Sequence, residues 1–264
     1  MIRWLAALTL AAAPPQDAEA PRESVRLFNG KDLTGLTTWL RDSQKEDPKK
    51  VFTVHDGLLH LSGDGFGYVA TEKAYKDYRL VVEYKWGTRT DGGKYVRNSG
   101  ILLHATGPDG GAGKGAWMSS IECQLAQGCA GDLIVIRGKD AAGQTVPVTL
   151  TVDTVPGPDK RPRWKKGGTP TVTTGKQMWW CDHDPEFKEL LDTRGRWDVE
   201  SPLAEWTKVE VVADGKRLQI SVNDKQVNEA YDVSPASGRI LLQTEGHEIF
   251  FRKFEIHPLK KEDK

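Results

Sequence analysis

The chain has 264 residues and balances 37 Lys and Arg against 37 Asp and Glu, a formal net charge of zero. Such a balance offers no electrostatic funnel toward a polyanion and argues against nucleic acid as a partner. With the N-terminal leader removed, about 240 residues remain; all-β folds of that size commonly stay undivided.

The chain opens with Met1-Ile2-Arg3, a short positive region, followed by an uncharged apolar run from Trp4 to Ala13 and then Pro14-Pro15. That layout predicts a secretory signal peptide over residues 1–18 and a secreted or periplasmic protein; the plain alternative is a mature N-terminal helix. Cleavage after Ala13 and after Ala18 fit equally. No later segment approaches about 18 consecutive apolar residues, so no integral membrane span is expected after signal cleavage.

Strand signals then recur, as short β-branched and aromatic runs bounded by Gly, Asp and Pro. They fall at 26–28, 52–55, 58–62, 68–71, 78–86, 99–104, 121–125, 133–136, 146–152, 207–213, 217–222, 225–228, 238–244 and 249–257. Asp56-Gly57 and Asp214-Gly215 read as hairpin turns, and Asn223-Asp224 as a third tight turn. Helical periodicity is scarce; a short helix over 185–192, capped by Asp184 with Pro185 in its first turn, is the one expectation. Many short strands with few helices predict a sandwich or barrel, with a single domain over 25–260. Residues 137–202, rich in Pro, Gly and charge, read as a long loop-rich insertion that carries Trp164, Trp179 and Trp180.

Cys123, Cys129 and Cys181 allow at most one internal disulfide; a Cys129–Cys181 pair and three unpaired thiols fit equally. They are too few and too far apart to indicate a metal cluster, and no cofactor is called for, with a divalent cation left open. Of nine Trp, most should fill core; Trp117, in a Gly-rich loop, is the candidate sugar platform.

Side chains alternate across a strand, so parity assigns faces. Asn98, Gly100, Leu102 and His104 share one face, Glu122 and Gln124 another, Leu241, Gln243 and Glu245 a third, and Glu83 and Lys85 a fourth. If these polar faces converge on one concave surface, Lys85, His104, Glu122, Gln124 and Gln243 line a cleft suited to a polyhydroxylated ligand. The same alternation describes the solvent face of any antiparallel sheet, and parity alone weighs the two readings equally.

The chain resembles the 3-keto-disaccharide hydrolase domain family. The resemblance is carried by Leu27-Phe28-Asn29-Gly30-Lys31-Asp32-Leu33 with Gly35, by Asn98-Ser99-Gly100-Ile101, and by Ile121-Glu122-Cys123-Gln124. Glu205-Trp206, Val222-Asn223-Asp224, Gly238 to Gln243, Glu245-Gly246 and Ile249-Phe250-Phe251-Arg252 extend it from about Val25 to Leu259. It departs in two places: His104 stands where an Arg is frequent, and Asn223-Asp224 where Asn-Gly is usual. The resemblance implies a concanavalin-like jelly-roll sandwich of two antiparallel sheets and cleavage of disaccharides oxidised at C3. A 3-keto group acidifies the C2 proton, so elimination of the glycosidic oxygen followed by hydration is the implied route. Glu122 is then the candidate catalytic base and His104 the candidate proton donor. Lys85 is placed to polarise the ketone, with Asn98, Trp117, Gln124, Gln243 and Glu245 as substrate contacts. The rival reading is a non-catalytic, lectin-like glycan-binding module, since sandwiches of this kind serve both purposes.

Overall fold

The structure, a computed structural model, describes residues 17–260, so the first 16 residues of the expected signal peptide lie outside it. The described residues form seventeen strands, and three of them, at Leu36–Leu40, Pro162–Trp164 and Thr169–Thr173, lie outside the expected runs. In chain order they begin β1 (Val25–Arg26), β2 (Leu36–Leu40), β3 (Phe52–His55), β4 (Leu58–Leu61), β5 (Phe66–Thr71) and β6 (Tyr78–Trp86). Next come β7 (Gly100–Thr106), β8 (Ser119–Gln124), β9 (Leu133–Ile136), β10 (Thr149–Pro156), β11 (Pro162–Trp164) and β12 (Thr169–Thr173). The last are β13 (Thr207–Asp214), β14 (Arg217–Val222), β15 (Lys225–Ser234), β16 (Arg239–Glu245) and β17 (Ile249–Pro258).

Two antiparallel sheets form from these strands. The small one has six, in the order β2-β5-β16-β7-β8-β9; the large one has eleven, along the path β11-β10-β15-β14-β13-β6-β17-β4-β3, with β1 on β17 and β12 on β10. Their facing sides bury one apolar core. Val69, Ile101, Leu103, Ile121, Cys123 and Leu242 of the small sheet meet Leu80, Val82, Val211, Ile220, Phe251 and Phe254 of the large one. The β3–β4 and β14–β15 hairpins close on two residues with positive φ: Asp56 at 53° with Gly57 at 75°, and Asn223 at 47° with Asp224 at 66°. That matches the strand twist and suits Asp, Asn and Gly. The fold is an all-β jelly-roll sandwich.

Three local expectations change. Residues 185–192 form turns, not a helix. Asp184 does cap, but its carboxylate accepts the Glu186 N–H at 3.0 Å and the Arg196 N–H at 2.8 Å, tying two loop passes together. Eight residues are too few to offset the cost of nucleating a helix when their apolar set, Phe187, Leu190 and Leu191, is not buried against the core, Leu190 being exposed. Residues 137–202 are less loop-like than their composition suggests, because β10 extends the large sheet and carries β11 and β12. β12 tolerates Pro170 as a strand on the sheet margin does. The three cysteines are all free thiols, with Cys123 and Cys129 buried. Among the described residues no helix is long and apolar enough to cross a membrane.

Candidate active site

Strand register arranges the outer face of the small sheet in rows. One row runs Thr37, Ala70, Leu241, Leu102, Glu122 and Ile134 across β2 to β9. The next begins Trp39, Tyr68 and Gln243. Since Leu242 pairs with Ile101 and Gly100 with Gln124, that row continues through Gly100 to Gln124. A third places Glu245 beside Phe66. Asn98 lies two residues before Gly100, and with Phe66 and Glu245 it lines a pocket of about 520 Å³.

Glu122, Gln124, Gln243, Glu245 and Asn98 therefore share one trough, whereas Lys85 and His104 of the expected cleft do not join it. Gly100 makes the convergence possible. A Cβ there would sit 3.0 Å from Glu122 Cδ, so the carboxylate lies in the space that a side chain would fill, between Gln243 and Gln124. The far end of the trough is closed by the loop 110–117. Trp117, 7% exposed, packs there with Tyr68, Leu102, Ala112 and Leu241, its ring centroid 6.4 Å from that of Phe66. It is a wall of the trough and not a free-standing platform.

These polar groups are buried and largely unsatisfied. The Asn98 Oδ1 and Gln243 Oε1 atoms have no hydrogen-bond partner. Gln124 Oε1 accepts only the neighbouring Leu125 N–H, at 3.1 Å. Leaving such groups unmade costs roughly 1–3 kcal/mol each, a burden that native folds usually retain for a ligand. Both carboxyls hold their protons above the ordinary range. Burial pushes Glu122 well up, and the neighbouring Glu245 charge adds to it; burial alone pushes Glu245 to about 7. The two carboxyls feel each other, and the Glu245 charge favours the protonated form of Glu122.

Two expected members are elsewhere. His104 turns into the core because β7 bulges there. Leu103 pairs with Ile121 and Thr106 with Ser119, leaving one extra residue, and His104 takes φ of 51°. Its ring meets Tyr78 edge-on at 6.0 Å, and its Nδ1–H donates to the Pro235 carbonyl at 2.9 Å. Burial lowers its pKa to about 4, so it stays neutral. Lys85 belongs to β6 of the other sheet. Its ammonium stands 5.1 Å from the Trp206 ring centroid and 5.8 Å from that of Phe250, on the outer side of the large sheet. Parity had given its face correctly, but not its sheet.

Sequence reasoning missed the rim. Tyr68 is fully buried and donates its hydroxyl to Asp109 at 2.6 Å. His247 lies behind Asn98, whose backbone N–H points at its Nδ1 at 3.3 Å, while its Nε2 is 3.4 Å from Asp91. Tyr95 and Lys94 overhang the open end. Pocket residues on loops carry no periodicity, so only the cluster of Gly, Asp and aromatics around Asp91 to Tyr95 hinted at them. Among the described residues no three His, Cys, Asp or Glu side chains gather in the manner of a metal site.

Several solved structures resemble this chain in fold. A candidate glycosyl hydrolase from Parabacteroides distasonis shares the fold with a TM-score of 0.50 at 18% identity, over 90% of this chain and 94% of its own. A β-glucanase from Bacillus licheniformis gives a TM-score of 0.47 at 9% identity, covering 90% and 99% of the two chains. The carbohydrate-binding module CBM66 from Bacillus subtilis gives 0.44 at 9% identity, covering 84% and 94%. No curated protein matches the sequence. The family described as the 3-keto-alpha-glucoside-1,2-lyase-like domain matches residues 23–257, nearly the whole described chain, and the protein belongs to that family.

Proposed function

We propose that this protein cleaves the glycosidic bond of sugars oxidised at C3, by elimination across C1 and C2 followed by hydration, and that it does so outside the cytoplasm. The observation that carries the proposal is buried Glu122 and half-buried Glu245 among unsatisfied amides on one face of the small sheet.

The 3-keto group makes the C2 proton acidic. Glu122, at the centre of the trough, takes that proton, and the electron pair forms an enolate across C2 and C3. The side-chain N–H groups of Gln124, Gln243 and Asn98 stabilise the developing oxyanion, the part first assigned to Lys85. The enolate then expels the C1 oxygen, leaving a double bond between C1 and C2 conjugated to the ketone. Glu245, at the inner edge of the open pocket, delivers its proton to the departing oxygen, the part first assigned to His104. Water adds back, hydroxyl to C1 and proton to C2. In the reactive arrangement Glu245 carries the proton, and sugar hydroxyls donating to Glu122 stabilise its anion.

The test is to incubate the full chain with 3-keto and unoxidised disaccharides in deuterium oxide. Release of both sugars from the 3-keto substrate alone, with deuterium at C2 of the product, is expected. Cleavage of unoxidised sugar without C2 exchange overturns the elimination. Binding without any cleavage leaves a glycan-binding module.

A further inference from the structure

The pocket of about 520 Å³ beyond Glu245 is larger than the catalytic carboxyl alone requires, and it is in the ordinary range for a small-molecule site. Its walls include two aromatic rings. Phe66 is steadied by the Arg41 guanidinium, 4.8 Å above its centroid. Tyr95, 36% exposed, is one of few large apolar side chains left open to solvent among the described residues. Of the cations around them, Lys94 stands beside Asp91, which accepts its backbone N–H at 2.9 Å, and Arg89 is already held by Asp64 at 3.1 Å. Nothing there selects an ion.

Tyr95 is held at this mouth by a long-range clamp. The next residues, Val96 and Arg97, are buried at 0% and 3% exposure. Arg97 Nε lies 2.6 Å from Asp192 Oδ1, and its Nη1 donates to the Gly87 carbonyl at 2.8 Å. Gln127 Oε1 accepts the N–H of Arg97 at 3.3 Å and the N–H of Asp192 at 3.1 Å, joining the two segments through one amide. Glu189, from the same insertion as Asp192, faces the Tyr95 hydroxyl, and with burial it holds that hydroxyl's pKa above the usual phenol range. The insertion thus fixes a wall of the site that lies about a hundred residues earlier in sequence.

We infer that this pocket is the leaving-group subsite, that it receives an uncharged flat ring against Phe66 and Tyr95, and that the Arg97–Asp192 clamp positions its Tyr95 wall. A second pyranose and an aryl aglycone share the required chemistry, a flat face that packs on an aromatic ring. The inference rests on reading the trough as the sugar site, with Glu245 beside the departing oxygen.

The experiment measures binding, not turnover. The Glu122→Gln protein is titrated with methyl glucoside, phenyl glucoside and a glucosyl disaccharide, each in 3-keto and unoxidised form. Ring-bearing ligands should bind roughly three- to tenfold more tightly than the methyl glycoside. Adding Tyr95→Ala should erase that margin while leaving methyl glycoside affinity unchanged, and adding Asp192→Asn should shrink it. A margin for the disaccharide alone identifies a sugar leaving group, and one for phenyl glucoside alone an aryl group. No margin, a margin that survives Tyr95→Ala, or no binding of either series overturns the subsite. Equal affinity for oxidised and unoxidised forms with the margin intact would strike the 3-keto reading and leave the subsite standing.

Discussion

The two outer faces of this sandwich carry similar polar residues and have opposite electrostatics. On the large sheet, Glu83 is matched by Arg252 and by Lys253 at 3.1 Å. Arg79 meets Glu210 at 2.7 Å, and Lys85 stands over two aromatic rings. Burial alone would raise the Glu83 pKa, but the pairing with Arg252 and Lys253 outweighs it and holds the carboxyl below its ordinary value. On the small sheet, Glu122 and Glu245 have no cationic partner and are held above it. Alternation of polar and apolar residues does not separate a solvated face from a reactive one. What separates them is whether buried charge is matched.

The sharpest way to break that contrast is to neutralise one carboxylate on each face. Glu122→Gln should lower kcat by on the order of 10²–10⁴, with the melting temperature unchanged or raised, because an unpaired buried acid is replaced by a neutral group of the same shape. Glu83→Gln should leave kcat within about twofold and cost about 1 kcal/mol or less of stability, the value of an ordinary ion pair. Equal losses of kcat would mean that both substitutions act through the fold and that the trough is not the reacting face.

Gly100→Ala comes next. The added methyl would contact the Glu122 carboxylate, 3.0 Å from its Cδ, and must displace it. Position 100 has no positive φ, so backbone strain is not the cause. A fall in kcat of at least about tenfold, with the sheet intact by circular dichroism, is expected from misplacing a reacting group by a fraction of an ångström. Unchanged kcat would remove Glu122 from the chemistry.

How much of this was legible beforehand depended on what each residue needed to be read. Glu122, Gln124, Gln243 and Glu245 lie on unbroken stretches of strand, where a period of two fixes the face; that their strands are neighbours came only from the register of the folded sheet. His104 was lost to one inserted residue, since a bulge shifts every later side chain to the other face and leaves no mark in composition. Lys85 was lost for a different reason, because parity assigns a face and not a sheet. The Arg97–Asp192 clamp was out of reach altogether, because it joins two loops far apart in sequence through geometry that no local pattern encodes. The family resemblance supplied the chemistry; it could not say that Glu245 lines the open pocket beyond Glu122.

Glu245 gives a smaller but more discriminating effect. Its folded pKa of about 7 lies above the ordinary 4.5, so between those values the unfolded chain releases a proton that the folded chain keeps. Its contribution is therefore fully present below about pH 4.5 and is lost as the pH rises through about 7. Relative to Glu245→Gln, the native protein should lose up to about 3 kcal/mol between pH 4.5 and 8, read from denaturant unfolding at several pH values. A constant difference across that range would show that Glu245 is not desolvated and would dissolve the contrast with Glu83.

The smallest expected effect falls on the residue that the sequence placed in the site and the structure removed from it. Lys85→Ala deletes an ammonium lying over Trp206 and Phe250, on the outer side of the other sheet. A half-buried cation–π contact is worth about 0.5–1 kcal/mol, and that much stability should go. Since the core of both sheets separates Lys85 from Glu122, kcat and KM should each stay within about twofold. A drop in kcat beyond tenfold at unchanged KM would mean that Lys85 reaches the reacting ketone after all. The reacting face would then be the outer face of the large sheet, and the unsatisfied amides of the trough would need another occupant.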